Sequence, residues 1–117
     1  MGLINLEPAL EPGEQERWRR PAALCLADAT VAGTLHLTSL GLVFVPNRLN
    51  RPGRRQQLRI PAAQISEAGV AHGQLSLANR NNGGMRPRLR ILTDAHETQL
   101  FLINHPEQVA AELEALL

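Results

Sequence analysis

A chain of 117 residues forms one domain, and its hydrophobic fraction of 44% is carried by aliphatic side chains; aromatic residues make up only 3%, so the stacking platforms used to bind single-stranded nucleic acid are scarce. The single cysteine, Cys25, excludes an internal disulfide and a thiolate zinc site, and a reducing compartment is the default. The formal charge of +1 hides a segregation: residues 48–90 hold nine arginines against Glu67 alone, whereas residues 91–117 hold five acids and no base.

The opening MGLINLEPALEPGEQE has no basic region before an apolar run and no Ser or Thr at the sixth position, so neither a secretory signal nor a myristoylation signal is expected. Residues 1–16 read as a flexible lead-in to a single domain over residues 17–117. PAALCLAD (21–28) reads as a first strand. VAGTLHLTS (31–39) alternates, with Leu35 and Leu37 on one face and Thr34, His36 and Thr38 on the other. LVFVP (42–46) is apolar on both faces, as a covered strand requires.

An arginine loop follows, turning at Pro52-Gly53, before QLRIP places Leu58 and Ile60 inward and Gln57 and Arg59 outward. Residues 65–70 and 74–78 are weaker strands, and ANRNNGG (78–84) is rich in residues that tolerate positive φ in turns. RLRILTD (88–94) and TQLFLIN (98–104) form a hairpin turning at Asp94-Ala95-His96. The last segment changes period: Asn104 as N-cap with Glu107 three residues on makes a capping box, Pro106 fits the first turn, and Val109, Ala110, Leu113, Leu116 and Leu117 form one apolar stripe. A helix this short must dock to persist. The expected fold is mainly β: a barrel or sandwich of about seven antiparallel strands capped by one C-terminal α-helix.

The stretch GTLHLTSLGLVF (33–44) and the ending FLINHP (101–106), which leads into the terminal helix, resemble the GRAM domain of the pleckstrin-homology-like superfold over roughly residues 20–117. The chain departs from the family pattern at Ser39-Leu40-Gly41 and at Val109, where an aromatic residue is common. The resemblance implies a PH-like barrel, a lipid-binding or protein-binding module, and no catalytic residues. It also implies that anionic headgroups would meet basic loops at the open end of the barrel.

Arg48, Arg51, Arg54, Arg55 and Arg59 are the candidate anion-binding set, because guanidinium groups bind phosphate oxygens in a bidentate manner. The competing reading is a solvated loop, or one paired with the protein's own acidic helix. Arg86, Arg88 and Arg90 mark a second basic segment, with two of them on one strand face. The expected partner is an anionic membrane surface or an acidic protein. Nucleic acid is disfavoured, since no helix carries these arginines toward a groove.

His36, His72, His96 and His105 lack metal-ligand spacing, Ser39, Ser66 and Ser76 lie in no nucleophile elbow, and no glycine-rich phosphate loop precedes a helix. No catalytic residue, metal or cofactor is expected, and no transmembrane segment. The reading is a cytoplasmic binding module, peripheral at a membrane. A protein-interaction or self-association domain is the alternative.

Overall fold

The computed structural model describes residues 6–26, 29–48, 50, 56–71 and 86–116. Seven strands run in chain order: β1 (Glu16–Cys25), β2 (Thr30–Thr38), β3 (Gly41–Pro46), β4 (Leu58–Pro61), β5 (Ile65–Ala71), β6 (Arg88–Thr93) and β7 (Thr98–Ile103), with a 3-10 turn (Ala62–Gln64) between β4 and β5. One helix, α1 (Pro106–Glu114), ends the chain. All seven strands join one antiparallel sheet in the order β4-β3-β2-β1-β7-β6-β5. The fold is therefore mainly β with a single C-terminal helix, an arrangement that fits a PH-like barrel.

The inner face of the sheet follows the alternation of the sequence. Leu35 and Leu37 of β2, Leu42 and Phe44 of β3, Ile60 of β4, Leu89 and Ile91 of β6 and Phe101 of β7 form one cluster. The rings of Phe44 and Phe101 meet at 5.5 Å between centroids with a tilt of 51°, a favourable aromatic geometry. Val109, Ala110 and Leu113 of α1 close this cluster over β5 and β6. Gly33 is required by close approach: a Cβ there would stand 2.3 Å from the Val45 carbonyl oxygen and 2.9 Å from the Phe44 ring.

Three local expectations are corrected. The N-cap of α1 is His105, in the left-handed region (φ 54°, ψ 56°), and no side-chain capping bond forms. Pro106 starts the helix at once, so the cap falls one residue after Asn104 and the box with Glu107 loses its register. The first strand begins at Glu16 rather than at residue 21. Glu16 and residues 18–21 pair with β2 alone, and β7 joins only at Ala22, a one-sided setting in which Pro21 is tolerated.

Residues 7–16 of the lead-in are tied to the sheet. Across the outer face of the sheet, Arg19, His36, Val43 and Arg59 form one row by register, and residues 7–16 bond three of its four members. Glu7 and Glu16 pair with Arg19, Glu16 binds His36, and Glu14 and the Ala9 carbonyl receive Arg59. Gln57, just before β4, holds the same segment, accepting the Ala9 N–H at 2.9 Å and donating to the Glu7 carbonyl at 3.2 Å. This cover accounts for an apolar β3 on both faces: Val43 and Val45 are as buried as Leu42 and Phe44.

The turn at Asp94-Ala95-His96 forms as expected, with His96 at φ 61° and the His96 N–H donating to the Thr93 carbonyl at 3.0 Å. The strand expected at 74–78 and the Asn-Gly turn at 78–84 lie outside the described residues. Among the described residues no helix is long and apolar enough to cross a membrane.

Candidate functional site

The basic loop leaves the sheet where β3 ends beside the start of β2. Gly33 pairs with Pro46, and the Asn47 N–H then donates to the Ala32 carbonyl at 3.1 Å. The Asn50 side chain closes the root of the loop, its amide donating to the Ala32 carbonyl at 2.8 Å and to the Asn47 carbonyl at 3.0 Å. Asn suits this position because one short amide reaches two backbone carbonyls at once. The turn between β1 and β2, closed by the Leu26 N–H to the Ala29 carbonyl at 2.8 Å, stands at the same end of the sheet.

Arg48 lies in this clamped turn, exposed and without a carboxylate partner among the described residues. Arg51, Arg54 and Arg55 lie outside the described residues. Arg59, counted with them from the sequence, has a different role. Its Nη1 donates to Glu14 at 3.0 Å and its Nη2 to the Ala9 carbonyl at 2.5 Å. The Glu14 side chain has no exposed surface; it also accepts the Thr38 hydroxyl and, at 2.9 Å, the Glu11 N–H.

The Arg59 hydrogen bond, outweighing burial, holds the Glu14 carboxyl down at about 2. The same contact raises the Arg59 guanidinium. Arg59 thus fastens the N-terminal segment to β4 through Glu14 and the Ala9 carbonyl.

A parallel arrangement lies one strand away. Glu16 accepts Arg19 Nη2 at 2.8 Å and binds Nδ1 of His36, which is completely buried. The Arg19 bond, ahead of burial, lowers the Glu16 carboxyl. Sequence alternation puts His36 on the outer face correctly, but nothing local announces that the outer face is covered. The partners Glu14 and Arg59 are 45 residues apart in sequence, and no spacing rule links them.

The second basic segment divides in the same way. Arg90 is paired with Glu67 at 2.7 Å, and Gly69 opposite leaves room for it, since a Cβ there would come within 3.3 Å of its Nη2. Arg88 is buried, at 4% exposure, and donates to the Arg86 carbonyl at 3.2 Å. Arg86 is exposed beside a shallow groove formed by Pro21–Ala23 of β1 and Leu102–Asn104.

Ala23, at the edge of that groove, pairs with Ala32, whose carbonyl receives Asn47 and Asn50, so two strand spacings, about 10 Å, separate it from the described root of the loop. On the acidic helix, Glu112 pairs with Arg20 at 3.5 Å and Glu114 accepts the Ala68 N–H at 2.9 Å. Unpaired guanidinium groups on one surface can receive phosphate oxygens. Among the described residues no group of three His, Cys, Asp or Glu side chains could hold a metal ion.

No family model matches the chain, and no curated protein matches it. Among solved structures it is similar to the crystal structure of the C-terminal domain of an unknown protein from Leishmania infantum. The TM-score is 0.63 at 17% identity, over 89% of this chain and 84% of that one. The likeness is one of fold.

Proposed function

We propose that the protein is a non-catalytic binding module of the GRAM, PH-like kind that contacts anionic lipid reversibly through the loop between β3 and β4. The observation that carries this reading is the sorting of the arginines. Arg19, Arg20, Arg59 and Arg90 are held by the protein's own carboxylates, whereas Arg17, Arg48 and Arg86 are left without one among the described residues. Arg51, Arg54 and Arg55 follow Arg48 in the chain without an intervening acid. The module works in the cytoplasm as a peripheral membrane protein.

Each basic residue near an anionic bilayer contributes about 1 kcal/mol. Arg48, Arg51, Arg54 and Arg55 together supply about 4 kcal/mol, a reversible attraction of millimolar scale before any apolar insertion. The test is charge reversal of these four arginines to Glu, read by cosedimentation with phosphatidylserine vesicles and by urea unfolding. Loss of vesicle binding at unchanged stability supports the reading; undiminished binding refutes it.

A further inference from the structure

At the other end of β3, roughly 20 Å from the arginine loop by strand rise, a cleft of about 180 Å³ opens between the sheet and the end of α1. Its walls combine residues from β1, β2, β5, α1 and the turns at Ser39 and Ala62. The floor is apolar, made by Leu37, Ile65 and Leu113 of the core cluster. The room exists because two small residues stand where the chain passes closest. Gly41 is held at φ 144°, where a Cβ would stand 2.3 Å from the Ile60 carbonyl oxygen, and Ala62 follows it on the wall.

Two features suggest that this end of the sheet is shaped for a ligand. First, both register irregularities of the sheet fall at the cleft: one between Glu16 and Trp18, which makes Arg17 the bulged residue, and one between Ile65 and Glu67. Bulges re-aim side chains and concentrate beside binding sites. Here the first puts Arg17 on the cleft wall. Second, Arg17 has no ion-pair partner among the described residues, although Glu16 beside it is bound to Arg19 and His36.

The acids near the end of α1 are occupied as well, Glu112 by Arg20 and Glu114 by the Ala68 N–H. Ser39 adds a donor: its hydroxyl accepts the Gln15 N–H at 3.0 Å and still has its own proton to offer.

We infer that this cleft binds an aliphatic carboxylate, with the hydrocarbon chain over Leu37, Ile65 and Leu113 and the carboxylate at Arg17 and Ser39. A volume of about 180 Å³ matches roughly six water-sized units, so it takes a short chain of about five to eight carbons and excludes a sterol or a full-length acyl tail. The site is separate from the arginine loop, and its test involves no membrane.

The experiment titrates the full-length ¹⁵N-labelled protein with octanoate, octylammonium, 1-octanol and acetate, following amide shifts and calorimetry. Octanoate is expected to saturate with shifts at Leu37–Gly41, Ala62–Ile65 and Leu113–Leu116. Octanol and octylammonium should bind at least tenfold more weakly, and acetate should give no saturation. Arg17→Gln is expected to bring octanoate down to the octanol affinity. Ala62→Leu, which fills the cleft, should remove both; if that variant fails to fold, Leu116→Ala at the rim should weaken both chains alike. No saturable binding of octanoate by roughly 10 mM, equal affinity in Arg17→Gln, or shifts centred elsewhere would overturn the inference.

Discussion

Replacing Arg59 by Gln separates its structural role from a ligand-binding one. The substitution leaves the fully buried Glu14 carboxylate with the Thr38 hydroxyl and the Glu11 N–H but no counter-charge. The wild-type carboxyl is held at about 2 against an ordinary 4.5, a difference that sets a scale of roughly 3 kcal/mol. Arg59 is itself 30% exposed, so screening brings the expected loss to about 2 kcal/mol at neutral pH.

The pH dependence has a definite sign. Because folding depresses the carboxyl, its contribution is complete above 4.5 and is lost as pH falls toward about 2. Urea unfolding of wild type and Arg59→Gln should therefore differ most at pH 7 and converge near pH 2, while vesicle binding at neutral pH stays the same for the folded variant. A variant as stable as wild type at pH 7, yet unable to bind vesicles, would refute the reasoning and return Arg59 to the ligand site.

Further substitutions probe the rest of the fold. Gly41→Ala forces a side chain into positive φ and against the Ile60 carbonyl oxygen, and chemical denaturation should register a loss of roughly 3 kcal/mol. Phe101→Ala removes a fully buried ring from its contact with Phe44 and should cost about 3–5 kcal/mol in the same assay. Deleting residues 1–13 takes away the Ala9 and Glu7 contacts to Arg59, Gln57 and Arg19; amide exchange in β3 and β4 should accelerate, and unchanged protection would mean that the segment does not cover them.

Periodicity made the core legible because it is local information. The alternation through Thr34–Thr38 orients β2 and the stripe at Val109, Ala110 and Leu113 orients α1, in agreement with the structure, whereas Leu116, expected in the same stripe, is exposed. The Asp94–His96 turn needed only its own residues. What stayed hidden depends on chain meeting chain. Arg59 and Arg90 looked equivalent to Arg48 until Glu14 and Glu67 were brought beside them. The bulge at Arg17 has no signature in EQERWRRP, since it arises from how β1 registers with β2.

His36 shows both sides of this boundary: its face could be read from Leu35 and Leu37, but its complete burial follows from the return of residues 7–16 over the sheet. The cap at His105 shows that one proline can shift a boundary that a sequence pattern places a residue earlier.

The central claim, that the arginines of the β3–β4 loop hold anionic lipid, is tested most directly by cosedimentation of the wild-type protein with neutral and phosphatidylserine-containing vesicles at low and moderate salt. The expected result is binding to the anionic vesicles alone, falling as salt screens the guanidinium groups. Equal sedimentation with both vesicle types, or no binding even at low salt, would contradict the claim.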